Sequence, residues 1–230
     1  MARITKEHDE RLNELLTAAQ QLFFEIGYEK TSVNHIIDKV GVAKGTFYHY
    51  FKSKEELLDK LVERFSERAH AEMVNIIETE GLNAVEKFNR FASTMYAMKV
   101  ENIDLMKMLM KVMYKDENLL LRHKIFRGNF NRLTPEYARV IRQGIEEGRF
   151  NTTDPEDLAE IILTWGYTLN EMIVDLLLEA DEKPGNLAVI ERKLNAFERG
   201  MEKLLGAETG SLHMFNRQMI EAFRPGDGEK

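Results

Sequence analysis

Residues 44–50 form a short run of polar and aromatic side chains with no acid among them, in the order Lys-Gly-Thr-Phe-Tyr-His-Tyr. The ammonium group of Lys44 and the hydroxyl groups of Thr46 and Tyr48 can donate hydrogen bonds to phosphate oxygens or to base edges, and the imidazole of His49 can do the same. Gly45 weakens a helix this short. Its advantage would be a close approach of the backbone to a phosphate, which a helix N-terminus also favours. The run is therefore a candidate surface for nucleic acid.

The lysines around this run create a local positive charge in an acidic protein. The 230 residues carry a net charge of −7, yet residues 39–54 contain no acid and four lysines, at positions 39, 44, 52 and 54. From charge alone, a solvated surface explains these lysines at least as well as a phosphate site does. Whether these lysines form a phosphate site or a solvated surface depends on the secondary-structure elements that position them.

Residues 33–51, VNHIIDKVGVAKGTFYHYF, have the pattern of two helices joined by a tight turn. Thr31 and Ser32 offer an N-cap, Gly41 permits the turn, and Phe47 and Phe51 give the second helix an apolar side. The first helix has an apolar stripe at helical spacing, formed by Val33, Ile36, Ile37 and Val40. This is the helix-turn-helix pattern.

The rest of the chain is also predicted to be helical, because it contains few prolines and glycines and many strong helix formers. Ser53 and Glu56 form a capping box that opens a long helix to about Ile77, and Asp154-Pro155 marks the start of another. A later helix has apolar residues at heptad spacing: Leu187, Ile190, Leu194, Phe197, Met201 and Leu204. We therefore expect an all-α fold.

Residues 41–57, GVAKGTFYHYFKSKEEL, together with Gly27-Tyr28, Thr31-Ser32-Val33 and Ile36-Ile37, resemble the DNA-binding domain of the TetR-type (tetracycline-repressor family) transcriptional regulators. The resemblance covers about residues 8–60. Gly144 and Gly148-Arg149-Phe150 also resemble the end of a helix often seen in this family. The resemblance implies a homodimer with an N-terminal three-helix DNA-binding head at residues 1–52 and a C-terminal effector-binding and dimerisation domain at 53–224. A disordered tail is expected at 225–230.

Transferred residue by residue, the resemblance assigns DNA contacts to eight positions: Thr31, Ser32, Lys44, Gly45, Thr46, Tyr48, His49 and Lys54. The first two would meet phosphate at the start of the second helix, and the last would do so from the fourth. The other five belong to the third helix. Two positions depart from the family's pattern. Ala43 stands where a hydroxyl residue is common, and Tyr50 stands where His is common, so either His49 or Tyr50 could face the DNA groove.

The resemblance also implies an effector pocket and a four-helix dimer interface in the C-terminal domain. Six methionines fall within residues 95–113. Most are expected to be core residues, although methionine also makes an adaptable pocket wall for an apolar or amphipathic effector. The candidate pocket residues are Phe88, Phe91, Met95, Met98, Met110, Met113, Phe126 and Trp165. The candidate interface residues are Leu169, Met172, Ile173, Leu176, Ile190, Leu194, Phe197 and Met201. No cluster of Arg or Lys marks an anionic effector.

Other classes of protein are disfavoured by what the sequence lacks. Cys is absent, which excludes disulfides, thiolate nucleophiles and Cys-ligated zinc. We find no catalytic pair, metal-ligand set or phosphate loop, and expect no cofactor and no enzymatic activity. We see no signal peptide or apolar run of about 20 residues, which favours a cytoplasmic protein outside the membrane. Two alternatives remain, a helical-bundle enzyme and a helical interaction module without operator binding.

Overall fold

The computed structural model describes residues 2–180, 182–215 and 220, and within this part of the chain all regular structure is helical. The elements in order are α1 (Ala2–Ile26), α2 (Val33–Val40), α3 (Lys44–Tyr50), α4 (Lys54–Glu78), α5 (Ala84–Glu101), α6 (Ile103–Met113), α7 (Leu119–Glu146), α8 (Pro155–Leu178) and α9 (Asn186–Leu205). A 3₁₀ turn at Asp116–Asn118 precedes α7. The predicted all-α class is confirmed.

One apolar cluster, which we call the head core, joins α1, α2, α3 and the first turns of α4. Phe23, Phe47 and Phe51 are among its fully buried side chains. Val112 and Met113, from the end of α6, belong to the same cluster. The three N-terminal helices therefore share their core with α4 and with α6, which is far away in the sequence.

The second cluster, the body core, is formed by the later part of α4 with α5, α7, α8 and α9. The most extensive packing is between α7 and α8, followed by α8 with α9 and α4 with α7. The helix α4 therefore runs without a break from the head core into the body core. The predicted domain limit at residues 52 and 53 coincides with the start of this helix, and it stays a prediction.

The helix ends in the head follow their sequence signals. The hydroxyl of Ser32 accepts a hydrogen bond from a backbone N–H in the first turn of α2 at 3.2 Å, and Gly41 ends that helix with φ +74°. Ser53 caps α4 by accepting the N–H of Glu56 at 3.2 Å. The Glu56 carboxylate accepts the N–H of Lys52 at 2.6 Å, one residue earlier than a capping box predicts.

The start of α8 differs in detail from its prediction. Pro155 is the first helical residue, as expected. Asp154 has φ +57° and makes no side-chain capping bond. Its carboxylate instead accepts the hydroxyl of Thr153 at 2.7 Å. Pro155 therefore marks the helix start without the predicted cap.

The segment after α9 packs against the body core without regular secondary structure. Leu212 is buried, and the buried carboxylate of Glu202 accepts the backbone N–H groups of Gly210 at 2.8 Å and Leu212 at 3.1 Å. Glu198 accepts the N–H of Phe215 at 2.9 Å. These carboxylates satisfy backbone donors that have no partner within a helix. The predicted disordered tail at 225–230 lies outside the described residues.

Four of the six heptad positions of α9 point into the protomer rather than outward. Ile190, Leu194, Phe197 and Met201 are at most 5% exposed and belong to the body core, as does Leu169 of α8. The structure thus corrects their assignment to a dimer interface. Heptad spacing shows that one helix face is apolar, but not whether that face packs on the same chain or on a second copy.

A glycine in α7 makes room for the ring of Phe150. A Cβ at Gly144 would overlap that buried ring. The chain turns through Gly148 at φ +69°, and the N–H groups of Arg149 and Phe150 donate to the Gly144 carbonyl at 2.8 and 2.9 Å. These residues close the C-terminal end of α7 and fold the following segment back onto it.

We expect Gly144→Ala to destabilise the protein by about 1–3 kcal/mol, because the added methyl group must displace a buried ring. Gly128→Ala is the matched control in the same helix, where a Cβ meets no described atom within 4 Å and alanine should stabilise by up to ~1 kcal/mol. Urea unfolding followed by circular dichroism measures both. Equal effects of the two substitutions would contradict the packing role of Gly144.

Candidate functional site

The helix α3 presents most of the predicted DNA-binding side chains to solvent. Lys44, Gly45 and His49 are exposed, Tyr48 is 49% exposed, and Thr46 is half-buried. The Lys44 ammonium lies 5.9 Å from the centroid of the Tyr48 ring, within the range of a cation–π contact. The outer face of α3 therefore combines a cation with hydroxyl and imidazole donors.

Nothing inside the head explains the glycine at position 45. A Cβ there would meet no described atom within 4 Å, and Gly45 is not among the positive-φ glycines. Alanine would be a better helix former by about 1 kcal/mol. The residue before α3, Ala43, makes no side-chain capping bond, in line with the hydroxyl missing from the family's pattern. The open space over Gly45 leaves room for a partner's atoms from outside the protein.

Thr31 is placed differently from its prediction. It is only 1% exposed, and its hydroxyl donates to the Gly27 carbonyl at 2.8 Å. Its backbone N–H donates to the same carbonyl at 3.2 Å. Thr31 therefore holds the turn between α1 and α2, and the structure corrects its assignment to a phosphate contact. Ser32, which caps α2, is exposed beside it.

Lys54 also has a partner within the head. Its ammonium donates to the Tyr28 carbonyl at 2.8 Å and lies 4.1 Å from the centroid of the Tyr28 ring. Lys39 pairs with Glu25 at 3.0 Å. Lys39 and Lys54 therefore have partners within the head. Lys44 and Lys52 are exposed.

Burial distinguishes the two neighbouring aromatic residues His49 and Tyr50. Tyr50 is half-buried, and its ring centroid lies 4.6 Å from that of His8 on α1. His49 is exposed, with its centroid 6.0 Å from the His8 ring. Tyr50 thus links α3 to α1, and His49 is the side chain that a partner can reach.

A second candidate site is a cavity of about 560 Å³ enclosed mainly by α4, α6, α7, α8 and α9. Its volume is within the range typical of small-molecule sites. Three predicted pocket residues line it: Met110, Met113 and Phe126. The structure places the other five outside the lining, buried or packed against the body core: Phe88, Phe91, Met95, Met98 and Trp165.

A polar cluster that the sequence analysis missed also lines the cavity. Arg122 donates to the Met113 carbonyl at 2.7 Å, and its guanidinium lies 4.7 Å from the centroid of the Tyr114 ring. A nitrogen of the same guanidinium is 3.6 Å from the Glu171 carboxylate. Asn170 donates to the Tyr114 hydroxyl at 2.8 Å. Burial first, and then the Glu171 charge, raise the pKa of Tyr114, which keeps the phenol neutral.

One sequence signal could have pointed to this cluster. Residues 161–170 form the longest run without a charge, and Glu171 follows it directly within an otherwise apolar helix. A single carboxylate at such a position requires a partner when it packs inside the protein. The partner, Arg122, lies on another helix, so its identity depends on tertiary structure.

The helices α4 and α6 contribute both to the cavity wall and to the head core. On α4, the head-core residues Leu57, Leu58 and Leu61 are followed directly by cavity-lining Val62, Phe65 and Ser66. On α6, Met113 belongs to the head core and also lines the cavity. A ligand bound in the cavity would therefore contact the helices that support α1–α3.

Comparisons with known proteins agree with this arrangement. Residues 15–61 match the family model for bacterial regulatory proteins of the tetR family. The chain belongs to this family. It is 29% identical over 163 residues to the HTH-type transcriptional repressor KstR2 of Mycobacterium tuberculosis, an alignment that covers 69% of this chain and 78% of KstR2. In the tetR family the matched residues form the DNA-binding part of a transcriptional regulator. Here they extend from the middle of α1 through α2 and α3 to the first turns of α4.

Solved structures share the fold over most of the chain. A TetR-family transcriptional regulator from Pectobacterium atrosepticum superposes with a TM-score of 0.65 at 20% identity, covering 87% of this chain and 96% of that one. The resorcinol complex of RolR superposes with a TM-score of 0.58 at 18% identity, covering 96% and 98%. At these identities the likeness shows that the tetR-family fold extends beyond the DNA-binding head.

The helix α8 is long and apolar enough to cross a membrane by length and composition, the only such helix within residues 2–180, 182–215 and 220. One helix of this kind is weak evidence for a membrane span. In this tetR-family fold α8 packs extensively on α7 and on α9. Its apolar composition is accounted for by two-sided packing and by an exposed apolar face.

We expect Lys54→Met to lower the free energy of unfolding by about 1–2 kcal/mol, because a charged hydrogen bond and a cation–π contact to Tyr28 are both lost. Lys52→Met removes the same charge from an exposed position and should change stability by less than about 0.5 kcal/mol. Urea unfolding measures both variants. Equal stabilities would show that the contacts between Lys54 and Tyr28 do not hold α4 against the head.

Proposed function

We propose that this protein is a ligand-responsive repressor that binds a palindromic operator as a homodimer and is released by a small apolar or amphipathic effector. The observation that carries this proposal is the sharing of α4 and α6 between the cavity and the head core. Its relative KstR2 is named a transcriptional repressor, and RolR, which shares the fold, has been solved with resorcinol bound. The proposed place of action is the cytoplasm.

The exposed face of α3 supports DNA binding in the major groove. It offers Lys44, Thr46, Tyr48 and His49 as donors, with bare backbone at Gly45. Ser32 supplies a further hydroxyl at the N-terminus of α2, where the helix dipole favours a phosphate. Lys54 is engaged by Tyr28, so its proposed role is to hold the start of α4 beside the DNA rather than to make the main phosphate contact.

Effector control follows from the position of the cavity. A dimer reads two half-sites about 34 Å apart or slightly more, so a small change in the separation of its heads misaligns one of them. An effector that repacks the cavity-lining parts of α4 and α6 changes how these helices support the head. Release also requires that the effector bind the DNA-incompetent arrangement more tightly than the DNA-bound one.

The dimer surface proposed here keeps three of the interface residues predicted from the sequence, on α8, and leaves out the buried positions of α8 and α9. Met172 is 38% exposed on α8, and Ile173 and Leu176 are partly buried beside it. Ile161 on α8 is 50% exposed, and Leu204 on α9 is 37% exposed. Exposed apolar side chains on two adjacent helices are typical of a surface that a partner covers.

The alternatives from the sequence are less well supported. Within the described residues, no group of three or more His, Asp or Glu side chains is arranged to hold a metal ion. The family assignment favours a transcriptional regulator over a helical-bundle enzyme. It also favours DNA binding over a purely structural interaction module, because the matched segment is the DNA-binding part of the family.

We expect Gly45→Ala to weaken binding to duplex DNA by roughly tenfold or more while unfolding stability stays the same or rises by up to ~1 kcal/mol. The added methyl group has space in the free protein and would collide only with a closely approaching DNA backbone. The probe is a duplex pool that the wild-type protein enriches from a random-sequence library, and binding is measured by gel shift. Gly128→Ala, in α7, is the control that should leave binding unchanged. Unaltered affinity of Gly45→Ala would contradict the close approach.

We expect Ile161→Glu to convert the proposed dimer into a monomer, because a carboxylate replaces the most exposed of the large apolar side chains of α8. The protomer should remain folded, since Ile161 is already half exposed. Leu120→Glu is the control, an apolar residue that is 80% exposed at the start of α7. Sedimentation velocity distinguishes the species. A wild-type protein that is monomeric, or an Ile161→Glu variant that stays dimeric, would contradict the proposed surface.

A further inference from the structure

Lys99, near the end of α5, lines the cavity together with apolar residues of α4 and α6. Its side chain is half-buried. Among the described residues, its ammonium makes no ion pair and no hydrogen bond. The nearby acid Glu101 faces Arg68 instead, at 3.9 Å. The cavity thus contains a cation without a hydrogen-bond or ion-pair partner in the part of the chain that the structure describes.

An unpaired ammonium in such a place is costly, because burial removes part of its hydration and no group in the described residues replaces it. In agreement, burial lowers the pKa of Lys99, and no other cause is found. Arg122, the second cation on the cavity wall, is different because Glu171 lies 3.6 Å away and a backbone carbonyl accepts its hydrogen bond. Lys99 is therefore the cation that a bound anion would neutralise.

The rest of the wall defines what such an anion must carry. The cavity of about 560 Å³ is lined mainly by aliphatic, aromatic and methionine side chains, among them Phe65, Met106, Met110 and Phe126. Burying apolar groups of a ligand against these side chains is favourable, whereas a small hydrophilic ion has no apolar surface to bury there. A ligand that is complementary both to the apolar wall and to Lys99 has an extended apolar body and one anionic end.

We infer that the effector is an amphipathic carboxylate whose apolar body fills this cavity and whose carboxylate pairs with the ammonium of Lys99. The inference rests on the proposed function in taking the cavity as the effector site. It also changes the expectation from the sequence, in which no basic cluster marked an anionic effector. A single lysine suffices here because its charge is desolvated and has no competing partner among the described residues.

The test compares dodecanoate with dodecan-1-ol, which have the same alkyl chain but differ in the charge of the head. Isothermal titration calorimetry measures both ligands against the wild-type protein, Lys99→Met, Lys99→Arg and Lys111→Met. Lys111 is an exposed lysine on α6 outside the cavity lining, so its substitution removes the same charge from a neighbouring helix.

Wild-type protein should prefer dodecanoate, and Lys99→Met should lose roughly tenfold or more of its dodecanoate affinity while dodecanol binding is kept or improved. Lys99→Arg, which keeps the charge, should retain most of the preference. Lys111→Met should leave both affinities unchanged. The inference is overturned if wild-type protein binds neither ligand, if it shows no preference for the carboxylate, or if Lys99→Met weakens the two ligands equally.

Gel shifts with the enriched duplex pool separate this inference from the proposed function. DNA binding without a carboxylate preference would overturn the inference alone. A carboxylate preference that depends on Lys99, in a protein that binds no duplex, would overturn the proposed repressor function while leaving the ligand site in place.

Discussion

The packing of α4 and α6 is the constraint on which the rest of the structure depends. Leu109 and Met113 pack with the head core and also line the cavity, and on α4 the change from one environment to the other takes place between Leu61 and Val62. Protein interiors are close-packed, so a side chain with two such neighbours cannot adjust to one of them without affecting the other. The head therefore has no core that is independent of what occupies the cavity.

Within the head, the side chains that hold the structure are distinct from those that face outward. Thr31 and Lys54 donate hydrogen bonds to backbone carbonyls of the α1–α2 turn, and Tyr50 packs on α1. Lys44 and His49 remain on the exposed face of a seven-residue helix. Because the outward side chains contribute little to the fold, the proposed DNA contacts can vary between family members while the same scaffold orients them.

Local features of the head could be predicted from the sequence because each depends on a few adjacent residues. Ser32 and Gly41 end α2 as expected, since capping and left-handed turns are local properties. The cavity could not be predicted in the same way. Its walls come from helices far apart in the chain, and the periodicity that marks Phe88 or Ile190 as apolar does not say which neighbour each will meet. Lys99 was missed because charge counts do not report desolvation.

The contrast between the two cavity cations bears on how an effector could shift the protein between states. Arg122 has its own counter-ion in Glu171, so its charge does not require neutralisation by a ligand. Lys99 has none among the described residues, so the free energy from neutralising its charge becomes available when an anionic ligand is bound. A ligand shifts an equilibrium only by the difference in its affinity for the two states, and a nearly complete switch needs a difference of about 10⁴-fold. Apolar contacts adapt to either state because methionine walls are soft, whereas the strength of an ion pair falls as the distance between its two charges grows. The charge at Lys99 is therefore better suited than the apolar surface to discriminate between two positions of α4 and α6.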